Sequence, residues 1–295
     1  MVQHRQVVRT LSILQGMEFF VITQTPDGKD IFFKIEGSGP DILLVHGAAS
    51  DADTMAPLVS QLSGRYRCIS VDRLGYRRST HLSRDTTVDE QAHAIEAVRK
   101  ACTSGPLWVF GHSSGGNVAV GYASLFPNNV RGLILMEPAL YALYPPDAFR
   151  PAINRMRDEI IPMFQRGDIG DGINGFVELL ELSRETLLEL GRLPSTTHPA
   201  ENWLPFAHDQ PFVIDCCPSE SDIQRLTHRI LVLEGDRTTP LLCNICRLLT
   251  EKLPKAQLTT LVGCDHVAPL LRPRLVAASV ASQNRPFVAT PKPAI

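Results

Sequence analysis

Six short apolar runs punctuate the chain, at 42–46, 66–71, 107–111, 131–136, 229–234 and 257–262. Between most of them, apolar positions recur at helical spacing, over 54–62, 86–102, 115–126, 240–253 and 269–282. Buried strands alternating with helices predict an α/β fold, a mostly parallel sheet covered by helices on both faces. Ahead of this alternation, Met17–Gln24 and Asp30–Glu36 flank Pro26-Asp27-Gly28 and predict an antiparallel hairpin. The alternation breaks between Ala139 and about Arg229. Within that stretch Phe149, Ile153, Met156, Ile160, Ile161 and Phe164 predict one amphipathic helix. Ile173–Leu182 and Glu185–Leu190 predict two more, the last stopped by Gly191 and Pro194. Gly167, Gly170, Gly172 and Gly175 suggest a mobile segment among them. The expected organisation is an N-terminal extension (1–16), a first part of the core (17–139), a helical lid (140–228), the rest of the core (229–283) and a proline-bearing disordered tail (284–295).

One strand–helix junction carries chemistry. Leu107–Phe110 runs into Gly111-His112-Ser113-Ser114-Gly115, and a helix-like stretch follows. Gly-x-Ser-x-Gly between a strand and a helix is the setting of a nucleophile elbow, in which glycines permit a turn too sharp for a Cβ. Ser113 is the candidate nucleophile. Upstream, the strand 42–45 ends in His46-Gly47-Ala48-Ala49-Ser50, a loop small enough to bring backbone N–H groups against a substrate. The backbone N–H groups of Ala48 and of Ser114 are the expected oxyanion donors, and His46 is read as a post that braces the loop. His266 follows the strand 257–262 in a loop ahead of a helix, which suits a general base. Two carboxylates compete to orient it: Glu137, ending the strand 131–136, and Asp236, after the strand 229–234.

Together these residues resemble the α/β-hydrolase superfamily, from about Phe32 to about Ser282. The resemblance rests on the His46-Gly47 loop, the Asp72-Arg73-Leu74-Gly75-Tyr76-Arg77-Arg78-Ser79 turn, the Ser113 elbow and the His266 loop. It implies that fold, with the helical lid inserted after its sixth strand. Many members carry Gly-Asp-x-Asp after the seventh strand and use the second Asp as triad acid; Gly235-Asp236-Arg237-Thr238 has threonine there. Other branches, such as haloalkane dehalogenases and fungal lactone hydrolases that open zearalenone, take a glutamate after the sixth strand, about two dozen residues past the nucleophile. Glu137 stands 24 residues beyond Ser113, so the resemblance favours Glu137 over Asp236. A serine nucleophile does not serve dehalogenation, which needs a carboxylate.

The implied activity is hydrolysis of a carboxylic ester or lactone of a small hydrophobic molecule, through an acyl-enzyme. Trp203 and Phe206, in the lid, are candidate substrate-binding residues. Alternatives on the same scaffold are a C–C bond hydrolase, a cofactor-free haloperoxidase-like enzyme and a small-molecule receptor. Composition narrows partners more than chemistry. The chain has 295 residues and a net charge of −2, with no basic face for nucleic acid. No apolar run approaches the ~18 residues of a membrane span, and the N-terminus does not read as a secretory signal. Seven cysteines, an odd number, point to reduced thiols and a cytoplasmic location. Cys243-Asn244-Ile245-Cys246 has zinc-ligand spacing but falls on a predicted helix, and Cys216-Cys217 reads as a buried pair in the lid. No metal and no cofactor is expected, and a homodimer is left open.

Overall fold

Along the central strands, successive residues pack on opposite faces of one sheet, which is why their sequences are apolar without alternation. Leu43 and Val45 join one core with Ile69, Val109, Leu133 and Val232. Their neighbours Ile42 and Leu44 join another with Phe110, Ile134, Met136 and Leu233. The computed structural model describes residues 9–14, 18–143, 146–192, 202–203, 205–215 and 218–282. The tail 284–295, Cys216-Cys217 and the side chain of Phe149 lie outside the described residues.

In chain order the strands are β1 (Arg9–Leu14), β2 (Glu18–Gln24), β3 (Asp30–Glu36), β4 (Asp41–Val45), β5 (Arg67–Val71), β6 (Leu107–His112), β7 (Val130–Met136), β8 (Arg229–Gly235) and β9 (Ala256–Leu261). They form one sheet in the order β1-β2-β3-β5-β4-β6-β7-β8-β9. β1, β2 and β3 are antiparallel, β3 meets β5 antiparallel, and every pairing from β5 through β9 is parallel. Residues 9–14, expected within an extension ahead of the first strand, instead form the edge strand β1. Its backbone gives β2 an antiparallel partner, with a shift of register between Thr10 and Ser12.

The core helices are α1 (Ala56–Leu62), α2 (Val88–Cys102) and α3 (Ser114–Leu125). Between β7 and β8 come α4 (Pro146–Arg155), α5 (Ile161–Arg166), α6 (Ile169–Leu179), α7 (Arg184–Leu190), α8 (Phe206–Ile214) and α9 (Glu220–Gln224). The chain closes with α10 (Pro240–Lys252), α11 (Ala268–Leu271) and α12 (Pro273–Ser282). The first amphipathic helix expected in this segment runs through α4 and α5, with a π-helical turn at Met156–Ile160 between them. Gly172 and Gly175 have a packing role. A Cβ at Gly172 would meet the Phe164 ring at 2.8 Å and one at Gly175 would meet Ile160 at 3.1 Å, so these glycines let α6 seat closely.

β4 sends the chain to β5 on one side, whereas β6 lies on its other side. Where strand order reverses, the carboxyl ends of adjacent strands leave a crevice. The loops after β4 and β6 therefore meet at one rim, with those after β7 and β9 further along it.

Candidate active site

β6 ends at His112 and α3 begins at Ser114, so Ser113 makes the turn by itself. Its φ of 53° and ψ of −126° are rarely tolerated by a residue with a Cβ. The flanking glycines make room for it. A Cβ on Gly111 would come within 2.7 Å of the Gly115 carbonyl oxygen, and one on Gly115 within 2.4 Å of those of Val45 and His46. Anchors on both sides hold the strain. The Ser113 N–H donates to Met136 at 3.0 Å, and its carbonyl accepts from Gly116 at 2.8 Å and Ala139 at 3.2 Å. The half-buried side chain lines a cavity.

Glu137 follows β7 directly and also has a positive φ, 43°. Its fully buried carboxylate collects three donors. Oε1 accepts from the Gly235 N–H at 2.7 Å, and Oε2 from the Thr238 hydroxyl at 2.7 Å and from His266 Nδ1 at 2.8 Å. Since a carboxylate only accepts, the neutral His266 carries its proton on Nδ1 and keeps a free lone pair on Nε2. His112 braces the same loop: its Nε2–H donates to the His266 carbonyl at 2.7 Å, and the two rings lie 4.8 Å apart. Burial, reinforced by the adjacent His266, pushes the His112 pKa down to about 3, so this imidazole is neutral. Asp236 is exposed and spends Oδ1 on the Gly263 N–H at 2.7 Å. The structure thus brings Glu137, not Asp236, to His266, and Thr238 supports that glutamate.

The loop after β4 is set by hydrogen bonds that leave one tautomer for His46. Its Nε2 accepts the Arg73 backbone N–H at 3.1 Å, so Nδ1 holds the proton and donates to the Gly47 carbonyl at 2.8 Å. Complete burial, with the Arg73 cation nearby, drives the His46 pKa well below its usual range. Ala49 is a third non-glycine residue with positive φ, 52°. Among the described residues, no acceptor takes the backbone N–H of Ala48 or of Ser114. The latter is one of the donors that the first turn of a helix leaves unpaired. A Cβ at Gly47 would lie 3.0 Å from Ser113 Cβ, so the bare glycine lets this loop close on the serine.

Ser113, His266 and Ala48 line a cavity of about 300 Å³ that residues between β7 and β8 also line, chiefly Phe176, Leu180, Leu187, Leu190 and Trp203. A second cavity of about 60 Å³ also reaches Ser113 and His266, between Tyr141, Met156 and Leu241. Trp203 belongs to the larger wall. Phe206 touches neither cavity; it is fully buried and packs against Phe164 and Phe176, each at 4.8 Å between ring centroids. Sequence reasoning missed Phe176, Leu180 and Leu187, for which the apolar face of a helix gave the only signal. Cys243 and Cys246 lie on α10 as free thiols. No group of metal-binding side chains occurs among the described residues.

A mostly parallel sheet with a strained serine at one strand–helix turn and a buried Glu–His pair at nearby strand ends defines the α/β-hydrolase class. The chain belongs to the alpha/beta hydrolase family, whose model matches residues 42–279. It is 32% identical over 133 residues to an uncharacterized hydrolase of Bacillus subtilis, YraK, across 44% of this chain and 49% of that one. The chain thus spans about half the length of that curated relative. Its fold is similar to that of a thermophilic esterase from Thermogutta terrifontis, with a TM-score of 0.76 and 20% identity over 95% of this chain and 97% of that one. An esterase from Exiguobacterium antarcticum gives a TM-score of 0.74 and 19% identity over 91% and 99%. No helix among the described residues is long and apolar enough to cross a membrane.

Proposed function

We propose that the protein is a serine hydrolase that cleaves a carboxylic ester or lactone of a small hydrophobic molecule. His266 Nε2 takes the Ser113 proton while Glu137 holds the imidazole and stabilises the imidazolium. The serine oxygen attacks the carbonyl, and the N–H groups of Ala48 and Ser114 receive the oxyanion. The imidazolium then protonates the leaving alcohol, and water activated by the same His266 releases the acid and restores the serine. The observation that carries this reading is the 2.8 Å contact between buried Glu137 and His266, which leaves Nε2 at the cavity that Ser113 lines. An apolar lid wall supports a hydrophobic substrate.

A panel of p-nitrophenyl esters of rising chain length, a lactone series and a β-diketone tests the assignment. Ester or lactone turnover, lost about 10⁶-fold in a folded Ser113→Ala variant, is expected. Turnover of the diketone in preference to every ester would replace the proposal with C–C bond hydrolysis. A ligand-dependent melting shift without multiple turnover would replace it with a receptor.

A further inference from the structure

Arg73 is a fully buried cation, 1% exposed, that the mechanism above does not use. It follows β5 and turns its guanidinium under the catalytic rim. Nη1 and Nη2 form a two-pronged pair with Asp209, at 3.0 and 2.8 Å. Asp209 belongs to the lid helix α8 and is itself 1% exposed. The second hydrogen of Nη2 is shared between the Gly47 carbonyl at 3.1 Å and Ser114 Oγ at 3.3 Å. Tyr76 completes the group, with its ring 4.7 Å from the guanidinium and its hydroxyl 3.0 Å from Asp209 Oδ2.

Those contacts converge on the two residues that offer oxyanion donors. In a trans peptide the carbonyl and the following N–H point in opposite directions. Arg73 Nη2 and His46 Nδ1–H both draw the Gly47 oxygen to the protein side. The Ala48 N–H is thereby turned the other way, and rotation of this peptide would cost both hydrogen bonds. The same Nη2 grips the side chain of Ser114, whose N–H is the other donor. Asp209 touches neither donor residue; it acts on them through Arg73. Burying two charges is a poor way to gain stability, and Arg73 Nε has no partner among the described residues. An apolar filler would pack here at less cost, and it would not orient two peptide groups.

We propose that Arg73 is a positioning residue that aligns both oxyanion donors, and that its pair with Asp209 makes this alignment depend on the seating of lid helix α8. This rests on the assignment of Ala48 and Ser114 as oxyanion donors made above.

The test compares Arg73→Lys and Asp209→Asn with the parent enzyme on one p-nitrophenyl ester. Two inhibitors accompany it: a trifluoromethyl ketone, which adds the serine and forms an oxyanion, and the matching secondary alcohol, which does not. A lysine cannot pair with Asp209 through two nitrogens and still reach Gly47. Both variants should lose about 10–10²-fold in kcat with KM nearly constant. Affinity for the trifluoromethyl ketone should fall by the same factor, and affinity for the alcohol by less than about twofold. Loss in Asp209→Asn, whose side chain keeps its shape and contacts neither donor, is the part that reports on the lid. If Arg73→Lys does not fold, Asp209→Asn alone carries the comparison. Variants that melt earlier yet keep kcat and ketone affinity would overturn the proposal and leave Arg73 a structural ion pair. Ser113→Ala assayed alongside separates the two levels: activity that survives it refutes the serine mechanism, whereas its loss beside unaffected Arg73 and Asp209 variants refutes only this inference.

Discussion

Replacing Glu137 with glutamine should silence the enzyme by changing the tautomer of His266, without emptying the site. Oε1 of the carboxylate accepts the Gly235 N–H at 2.7 Å, so the carbonyl oxygen of the amide must take that position. The NH₂ group is then left where Oε2 was, facing His266 Nδ1 and the Thr238 hydroxyl. The threonine can rotate to accept; an Nδ1–H cannot. His266 is forced to carry its proton on Nε2, and no lone pair remains to take the proton of Ser113. An acid-to-amide change of this kind in a Ser-His-Asp triad lowers kcat about 10⁴-fold, roughly 5.5 kcal/mol of barrier. The side-chain volume is unchanged, so the folded fraction should match the parent. Steady-state kcat on the best p-nitrophenyl ester, with near-ultraviolet circular dichroism as the folding control, reads the result. Asp236→Asn, on the exposed turn, should stay within about twofold of the parent. Activity in Glu137→Gln within tenfold of the parent, or a collapse in Asp236→Asn instead, would refute the reasoning.

Three further outcomes follow from the geometry. Gly115→Ala puts a Cβ 2.4 Å from two backbone oxygens that cannot yield, so its urea midpoint should drop by the equivalent of about 1–3 kcal/mol; an unchanged midpoint contradicts the packing argument. Acidification should destabilise the fold through His112, whose pKa lies at about 3 in the folded chain against an ordinary 6.5. Between those values the unfolded chain binds a proton that the folded chain refuses, so stability present above pH 6.5 is lost as pH falls, by up to about 1.4 kcal/mol per pH unit. His112→Gln should flatten this slope between pH 6 and pH 4 in urea titrations, with His46 sustaining the remainder; an unaltered slope removes His112 from the account. Leu190→Trp, narrowing the cavity of about 300 Å³, should cut kcat/KM for octanoate relative to acetate esters about tenfold, and equal losses on both would show that α7 does not border the substrate.

The elbow was legible because its chemistry is local: two glycines around a serine between a strand and a helix answer one steric demand, and Ser113 has the positive φ that the demand implies. Glu137 was legible for a different reason, its position at a strand end, to which the resemblance lent a spacing. Asp236 could be set aside only in three dimensions, since both carboxylates end neighbouring parallel strands. The segment between β7 and β8 resisted sequence reading. Phe206 and Phe176 share one aromatic cluster, yet only Phe176 lines the cavities, and helical periodicity does not tell a lid's interior from its inner wall. Among the glycines of α6, Gly172 and Gly175 admit close contacts with Phe164 and Ile160, which lie outside that helix and leave no mark on its own periodicity. The pairing of Arg73 with Asp209 joins residues 136 apart and carries no periodic or motif signature.

The most direct test is covalent. Incubation with a fluorophosphonate, followed by intact-mass measurement and peptide mapping, should reveal one adduct per chain, on Ser113, formed in step with loss of ester hydrolysis and absent from Ser113→Ala. Hydrolysis that persists after full labelling, or an adduct of equal yield on another residue that survives Ser113→Ala, would contradict the account.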